Sequence, residues 1–252
     1  MARSPSGDSM VDRVVRVLEA FDPDTPVLTV SALAARAGLP LSTTSRLVDQ
    51  LVGHGLLGRD SARRVRIGVR MWELASRASP TLGLRSAAMP FLEDLHAVVG
   101  HHVQLGVLEQ REVLFVERLS APGAVINLTQ IAGRLPLHAS SGGLILLAHA
   151  PSDLQEAVLA GPLRGYTDRT ITDARTLRRT LAQVRTQGFV HCPGHIHPDA
   201  AGVAVPVRDR SDAVVAALAV VVPNDDRALG TVPLLRAMAR GIQASIGPIE
   251  WN

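Results

Sequence analysis

The sequence predicts an α+β protein in two parts, a small N-terminal winged helix-turn-helix and a larger domain in which helices pack on a mostly antiparallel sheet. Three observations carry this. Two helical apolar stripes follow one another through a tight turn at Gly38-Leu39-Pro40. Two short strand-like runs with an arginine-tipped connector come next, at 56–59 and 65–68. Beyond residue 84, strand patterns fall in two groups with helical patterns before, between and after them. A length of 252 residues allows two domains.

The chain opens on Met-Ala-Arg-Ser-Pro-Ser-Gly-Asp, a small polar leader expected to be disordered over 1–8 and without the apolar core of a secretory signal. Val11, Val14, Val15 and Leu18 then recur at helical spacing and stop before Asp22-Pro-Asp-Thr-Pro26. Thr29 is placed to cap a second helix with Leu33, Ala34 and Ala37 inward, and Gly38 suits the left-handed position that ends it. Pro40 is tolerated at the start of a third helix, where Thr44, Leu47, Val48 and Leu51 form the apolar face. So tight a turn makes the two helices cross steeply, as in motifs that lay the second helix in a major groove.

The outward side chains of that helix carry the chemistry. Ser42 and Thr43 offer hydroxyls to phosphates or bases, Arg46 can fork onto guanine, and Gln50 suits adenine. Asp49 on the same face would repel phosphate. Arg59, Arg63 and Arg64 belong to a small wing, where arginines gain from phosphate proximity and counterion release. Charge agrees: residues 36–77 hold eight arginines against three acids, whereas 81–252 hold fifteen of each. All the cations are arginine, lysine being absent, which reads as genome composition rather than chemistry. The winged helix-turn-helix is bounded at 9–68 and a linker helix at 69–83.

In the remainder, Ala87–Val99 is helical, with Phe91, Leu92, Leu95 and Val98 in register and with Pro80 and Gly83 breaking the chain before it. Strands are expected at His102–Leu108, Glu112–Arg118 and Ala124–Gln130, and again at Phe189–His191, Gly202–Val207 and Ala213–Val222. Helices are expected at Ser141–Ala150, Ser152–Leu159, Asp173–Gln187 and Asp226–Ile246. The longest apolar stretch, Ala213–Pro223, falls short of the roughly 18 residues a membrane span needs. Cys192 is the single cysteine, which removes any internal disulfide and points to a reducing, cytoplasmic setting.

With Leu28-Thr29, Gly38-Leu39-Pro40-Leu41-Ser42-Thr43 and Arg46-Leu47, the N-terminal third resembles the IclR family of transcription regulators. The likeness runs from about Asp12 to Gly247 through Gly133-Arg-Leu-Pro-Leu-His-Ala-Ser140, Thr170-Ile-Thr-Asp173, Gly188-Phe189 and Val205-Pro-Val-Arg-Asp209. It implies a GAF-like effector-binding and oligomerisation domain over 84–252, double-stranded operator DNA and a small-molecule effector as partners, a homodimer or dimer of dimers, no membrane and no cofactor. Repression is the implied output. Effector would sit between the segment holding Leu137, His138, Ser140, Gly142 and Gly143 and strands through Cys192, Gly202, Ala219 and Val221. Here the chain departs from the family: Leu41 replaces a common lysine, Cys192 an aspartate, Gly202 a cysteine, Ala219 and Val221 serines, and Leu144 a lysine. Buried carboxylates need donors, so the expected cavity is apolar and its ligand larger and less charged than a small keto acid.

Two alternatives stand beside this. The sensor domain could serve dimerisation alone, or His191, Cys192, His195 and His197 could bind a sensed metal, although their spacing matches no established finger. His101 and His102 are read as exposed polar residues without a role. Ser140 or Ser141 beside His138 is the best nucleophile pairing, but no G-x-S-x-G, phosphate loop or H-E-x-x-H accompanies it, so enzymatic chemistry is not expected.

Overall fold

The computed structural model describes residues 8–22, 24–77, 79–127, 129 and 131–247. They form two compact units divided between Ser79 and Pro80, close to the expected start of the second domain at 84. Residues 1–7 of the expected leader lie outside the described residues. Asp8 pairs with Arg16.

In the first unit, α1 (Met10–Glu19) starts on a capping box in which Ser9 and Asp12 satisfy each other's backbone amides. Its buried face differs from the expected one. Val17 is inside, with Val14 and Leu18 packed beside it, while Val11 and Val15 are exposed. Closely spaced valines offer two overlapping stripes, and packing on the next helices selects one. After β1 (Val27–Leu28), Thr29 caps α2 (Val30–Ala37) by accepting from the Ala32 amide at 3.2 Å. Gly38 ends that helix at φ 62°, a conformation only glycine adopts without cost. α3 (Leu41–Gly53) follows at once and buries Thr44, Leu47, Val48 and Leu51, the expected stripe. The wing is β2 (Leu57–Arg59) and β3 (Val65–Ile67), and β1 pairs with β3 to make a three-stranded sheet in the order β1-β3-β2. α4 (Val69–Arg77) buries none of its residues.

In the second unit, α5 (Pro80–Val99) absorbs the expected break: Pro80 opens the helix and Gly83 lies within it. Leu92 and Leu95 are buried but Val98 is exposed. β4 (His102–Glu109) and β5 (Glu112–Leu119) form a hairpin. The strand expected at 124–130 is absent over the described residues 124–127, and the next strand on β5 is instead β6 (Arg134–Pro136). There follow α6 (Ser141–His149), α7 (Ser152–Leu159), α8 (Ala174–Gln187), β7 (Val190–Pro193), β8 (Ala200–Arg208) and β9 (Val214–Pro223). The closing helix α9 (Val232–Ser245) starts later than expected, because a 3-10 turn takes up Ala228–Thr231.

The sheet order is β6-β5-β4-β9-β8-β7, with every pairing antiparallel. Its pleat sorts side chains between two cores. Along β8, Ala201, Val203, Val205 and Val207 pack with α5 and α9 on one face, while Ala204 joins Cys192, Ala217 and Ala219 against α6 and α8 on the other. α6 is buried from Ser141 through Ala148. A helix enclosed in this way has its first turn set by the sheet, and that turn opens on a cavity.

Candidate DNA interface and effector cavity

On the outer face of α3, Ser42, Arg46, Asp49 and Gln50 are exposed and Thr43 is half-buried. Arg46 makes no hydrogen bond or ion pair with another described residue. Asp49 does not stand as a bare repulsive charge, because Arg59 donates to its carboxylate at 2.7 Å. Arg59, expected at DNA, is thus first a tie between the wing and α3. Arg64 is likewise engaged, its Nε on Asp60 at 2.8 Å. Arg63 sits exposed at the wing tip with φ 60°, and only its backbone is bonded among the described residues, to Asp60. The hydroxyl of Thr29 is occupied by its cap and by Ser31 at 3.0 Å.

The second unit holds a cavity of about 40 Å³ beside the start of α6. Such a volume admits a water or two and no aromatic ring, so a ligand must widen it. Of the expected effector residues, Ser140, Cys192, Gly202 and Val221 line it. Leu137 and Ala219 instead pack in the adjoining core. His138 is buried, with Nε2 hydrogen-bonded to the Arg164 carbonyl at 2.9 Å. Gly142 and Gly143 lie buried in the first turn of α6, where the Gly143 amide donates to the Ser140 hydroxyl at 3.0 Å. Gly202 has a local reason: a Cβ there would lie 2.7 Å from Ser141 Oγ, so the serine fills the space that a side chain at 202 would take.

The wall is mostly apolar, as expected, but it also carries polar side chains that the expectation did not include. Phe115, Ile126 and Leu135 supply apolar surface, but Gln104, Asn127, Thr129, Ser141, His195 and His197 also line it. Gln104 Nε2 donates to Thr129 Oγ1, and Thr129 donates to Asn127 Oδ1 from its amide at 3.0 Å and its hydroxyl at 2.8 Å. Arg118 holds the Thr129 carbonyl. Strand register sets Gln104 opposite Arg118, and both reach Thr129 in the segment after β5. The sequence signal available was Gln104, an amide set in the largely apolar run from Val103 to Leu108.

His102, read as exposed, is buried and fastens the same segment. Its Nε2 donates to the Val125 carbonyl at 2.6 Å and its Nδ1 meets Ser120 Oγ at 2.9 Å. Burial holds this imidazole below the ordinary histidine range, with Arg118, His101 and His96 pushing the same way and the Val125 contact opposing. Burial is also the first cause of the lowered values of His149, His191 and His195. The unfolded chain takes up protons near pH 6.5 that these folded imidazoles refuse. Stability is therefore full above that pH and is lost as pH falls through the lower folded values. Thermal unfolding should show a lower midpoint at pH 5.5 than at 7.5, and His102→Asn should reduce the difference; an unchanged midpoint would contradict this.

The histidine-cysteine segment does not gather into a metal-ligand set. Among the described residues no group of three or more His, Cys, Asp or Glu side chains is placed to hold an ion. Cys192 is buried against α6 while His191, its neighbour on the strand, points to the other side, and burial pushes the thiol's pKa up. His197 faces Asp199 at 4.0 Å.

A helix-turn-helix whose outer-face Arg46 has no partner among the described residues, followed by an α+β unit holding a small cavity, has the layout of a DNA-binding regulator. Residues 10–61 match the IclR helix-turn-helix domain and residues 77–244 the C-terminal domain of bacterial IclR transcriptional regulators. The chain belongs to the IclR family. It is similar to an IclR homolog from Microbacterium hydrocarbonoxydans solved in complex with 4-hydroxybenzoate, at 48% identity and TM-score 0.91, covering 94% of this chain and 98% of that one. It is also similar to the transcriptional regulator XynR of Escherichia coli, 29% identical over 82% of this chain and 83% of that one. The repressor AllR of the same species is 27% identical over 96% and 91% respectively. These relatives are regulators, not enzymes. Among the described residues no helix is long and apolar enough to cross a membrane.

Proposed function

We propose that the protein is a cytoplasmic repressor that binds a pseudo-palindromic operator as a dimer or dimer of dimers and is released or retained by a small aromatic carboxylate in the α6 cavity. The observation that carries this is the cavity's make-up. Phe115, Ile126 and Leu135 suit a ring, while Asn127 and the start of α6 supply donors for a carboxylate. The 4-hydroxybenzoate complex of the Microbacterium relative supports the same class, and such a ligand is larger and less polar than a small keto acid while carrying the same single charge. Exposed apolar side chains on α1 (Met10, Val11, Val15) and α4 (Val69, Trp72, Leu74) support pairing of copies. Ser42, Thr43, Arg46 and Gln50 would meet the major groove and Arg63 a minor groove, with Thr29, Arg59 and Arg64 at the backbone. Dimerisation as the domain's only role is disfavoured by unpartnered polar atoms at the cavity wall.

Because the cavity must widen to admit a ring, a ligand has unequal affinity for the closed and open forms, and that difference limits how far it can shift operator binding. Genomic fragments selected on the purified protein provide the probe. Anisotropy titrations should show operator affinity changed by roughly 5- to 150-fold by 4-hydroxybenzoate and not by pyruvate. A shift with pyruvate alone, or with neither acid, would overturn the aromatic-carboxylate assignment.

A further inference from the structure

Two residues on the cavity wall carry buried polar atoms with no hydrogen-bond partner, Asn127 Nδ2 and His195 Nδ1. A buried polar atom left unpaired is costly, so such atoms mark places where a partner belongs. The Asn127 oxygen already accepts twice from Thr129, which fixes the amide orientation and leaves its N–H group as an unused donor.

At His195 the unmet atom is Nδ1, buried on the cavity wall with no partner among the described residues. Burial and the neighbouring His191 both favour the neutral ring, and a neutral imidazole offers either a lone pair or an N–H at Nδ1, both of which a hydroxyl can meet. His197, the other imidazole on the wall, already accepts at Nδ1 from the Asp199 amide at 3.3 Å.

We propose that His195 reads a hydroxyl on the effector through Nδ1 while Asn127 Nδ2 binds its carboxylate, so that the ligand is a hydroxy-substituted aromatic acid and plain benzoate is rejected. This rests on the aromatic-carboxylate assignment and adds the residue that discriminates within the class. Benzoate would leave His195 Nδ1 buried and unmatched, which predicts about a 10- to 100-fold preference for the hydroxylated acid.

Calorimetry on the full-length protein with 4-hydroxybenzoate and benzoate tests it. The wild type should show that preference. In His195→Phe the two acids should bind within about threefold of each other, with benzoate not weakened. His195→Asn, which returns an amide oxygen near the Nδ1 position, should keep part of the preference even if the phenylalanine variant fails to fold. Asn127→Ala should weaken both acids alike. Equal binding of the two acids by the wild type, or an unchanged preference in His195→Phe, would overturn the role of His195 alone. Binding of neither acid by the wild type would overturn the aromatic-carboxylate assignment and this one together.

Discussion

Replacing Gly143 by alanine is expected to destabilise the sensor domain by about 2 kcal/mol and to remove its response to effector, whereas the same change at Gly142 should leave both intact. A Cβ at 143 would lie 2.5 Å from the carbonyl oxygen of Leu137 and 2.8 Å from its Cα. The obstruction is backbone, which cannot rotate aside, and overpacking of this kind costs about 3 kcal/mol. The helical preference of alanine over glycine returns about 1 kcal/mol. For a domain of this size the net corresponds to a midpoint lower by about 4 to 8 °C. At 142 the nearest atom is Ala217 Cβ at 3.7 Å, an ordinary contact, so alanine there keeps the helical gain. The functional loss at 143 exceeds the stability loss because the strain falls on the turn that Ser140 caps and that opens on the cavity. Thermal unfolding and ligand calorimetry on both variants decide it; equal behaviour of the two would refute the close-approach account.

How much of this was legible in the sequence follows from the range of the interactions. Thr29 as a cap, Gly38 as a left-handed stop and the inward stripe of α3 are set within one or two turns of chain, and the sequence alone predicts them. β1 and β6 hold two and three residues, too few for a period to show. The strand expected at 124–130 has the composition of a strand, but its polar groups are claimed from the side by His102, Gln104 and Arg118. The site divides in the same way. Cys192, Gly202 and Val221 were found by resemblance. Gln104 and Thr129, whose meeting adds polar groups to the wall, lie 25 positions apart and are joined only by a side-chain contact between β4 and the segment after β5. His195 was visible, but as one member of a row of donors; an unpartnered Nδ1 on the cavity wall separates it from its neighbours.

On DNA the largest effect is expected at Arg46. It is exposed on the outer face of α3, between Ser42 and Gln50 at successive helical turns, and no described residue competes for its guanidinium. Arg46→Ala should weaken specific operator binding by about 1 to 3 kcal/mol and relax base preference at one position in each half-site. Arg63, at the wing tip, is expected to sense charge rather than base pattern. Its loss should weaken all sequences alike and lower the salt slope by about one. Arg59 differs from both, because its partner is Asp49 on the recognition face. Arg59→Ala should therefore cost more than a lost phosphate contact, since it leaves a bare carboxylate facing DNA, and Asp49→Asn should restore part of that loss. Titrations on operator and random duplex at two salt concentrations separate the three residues. Equal losses for Arg46→Ala and Arg63→Ala on random DNA would contradict the division, because a base-reading arginine has little to lose where there is no preferred base.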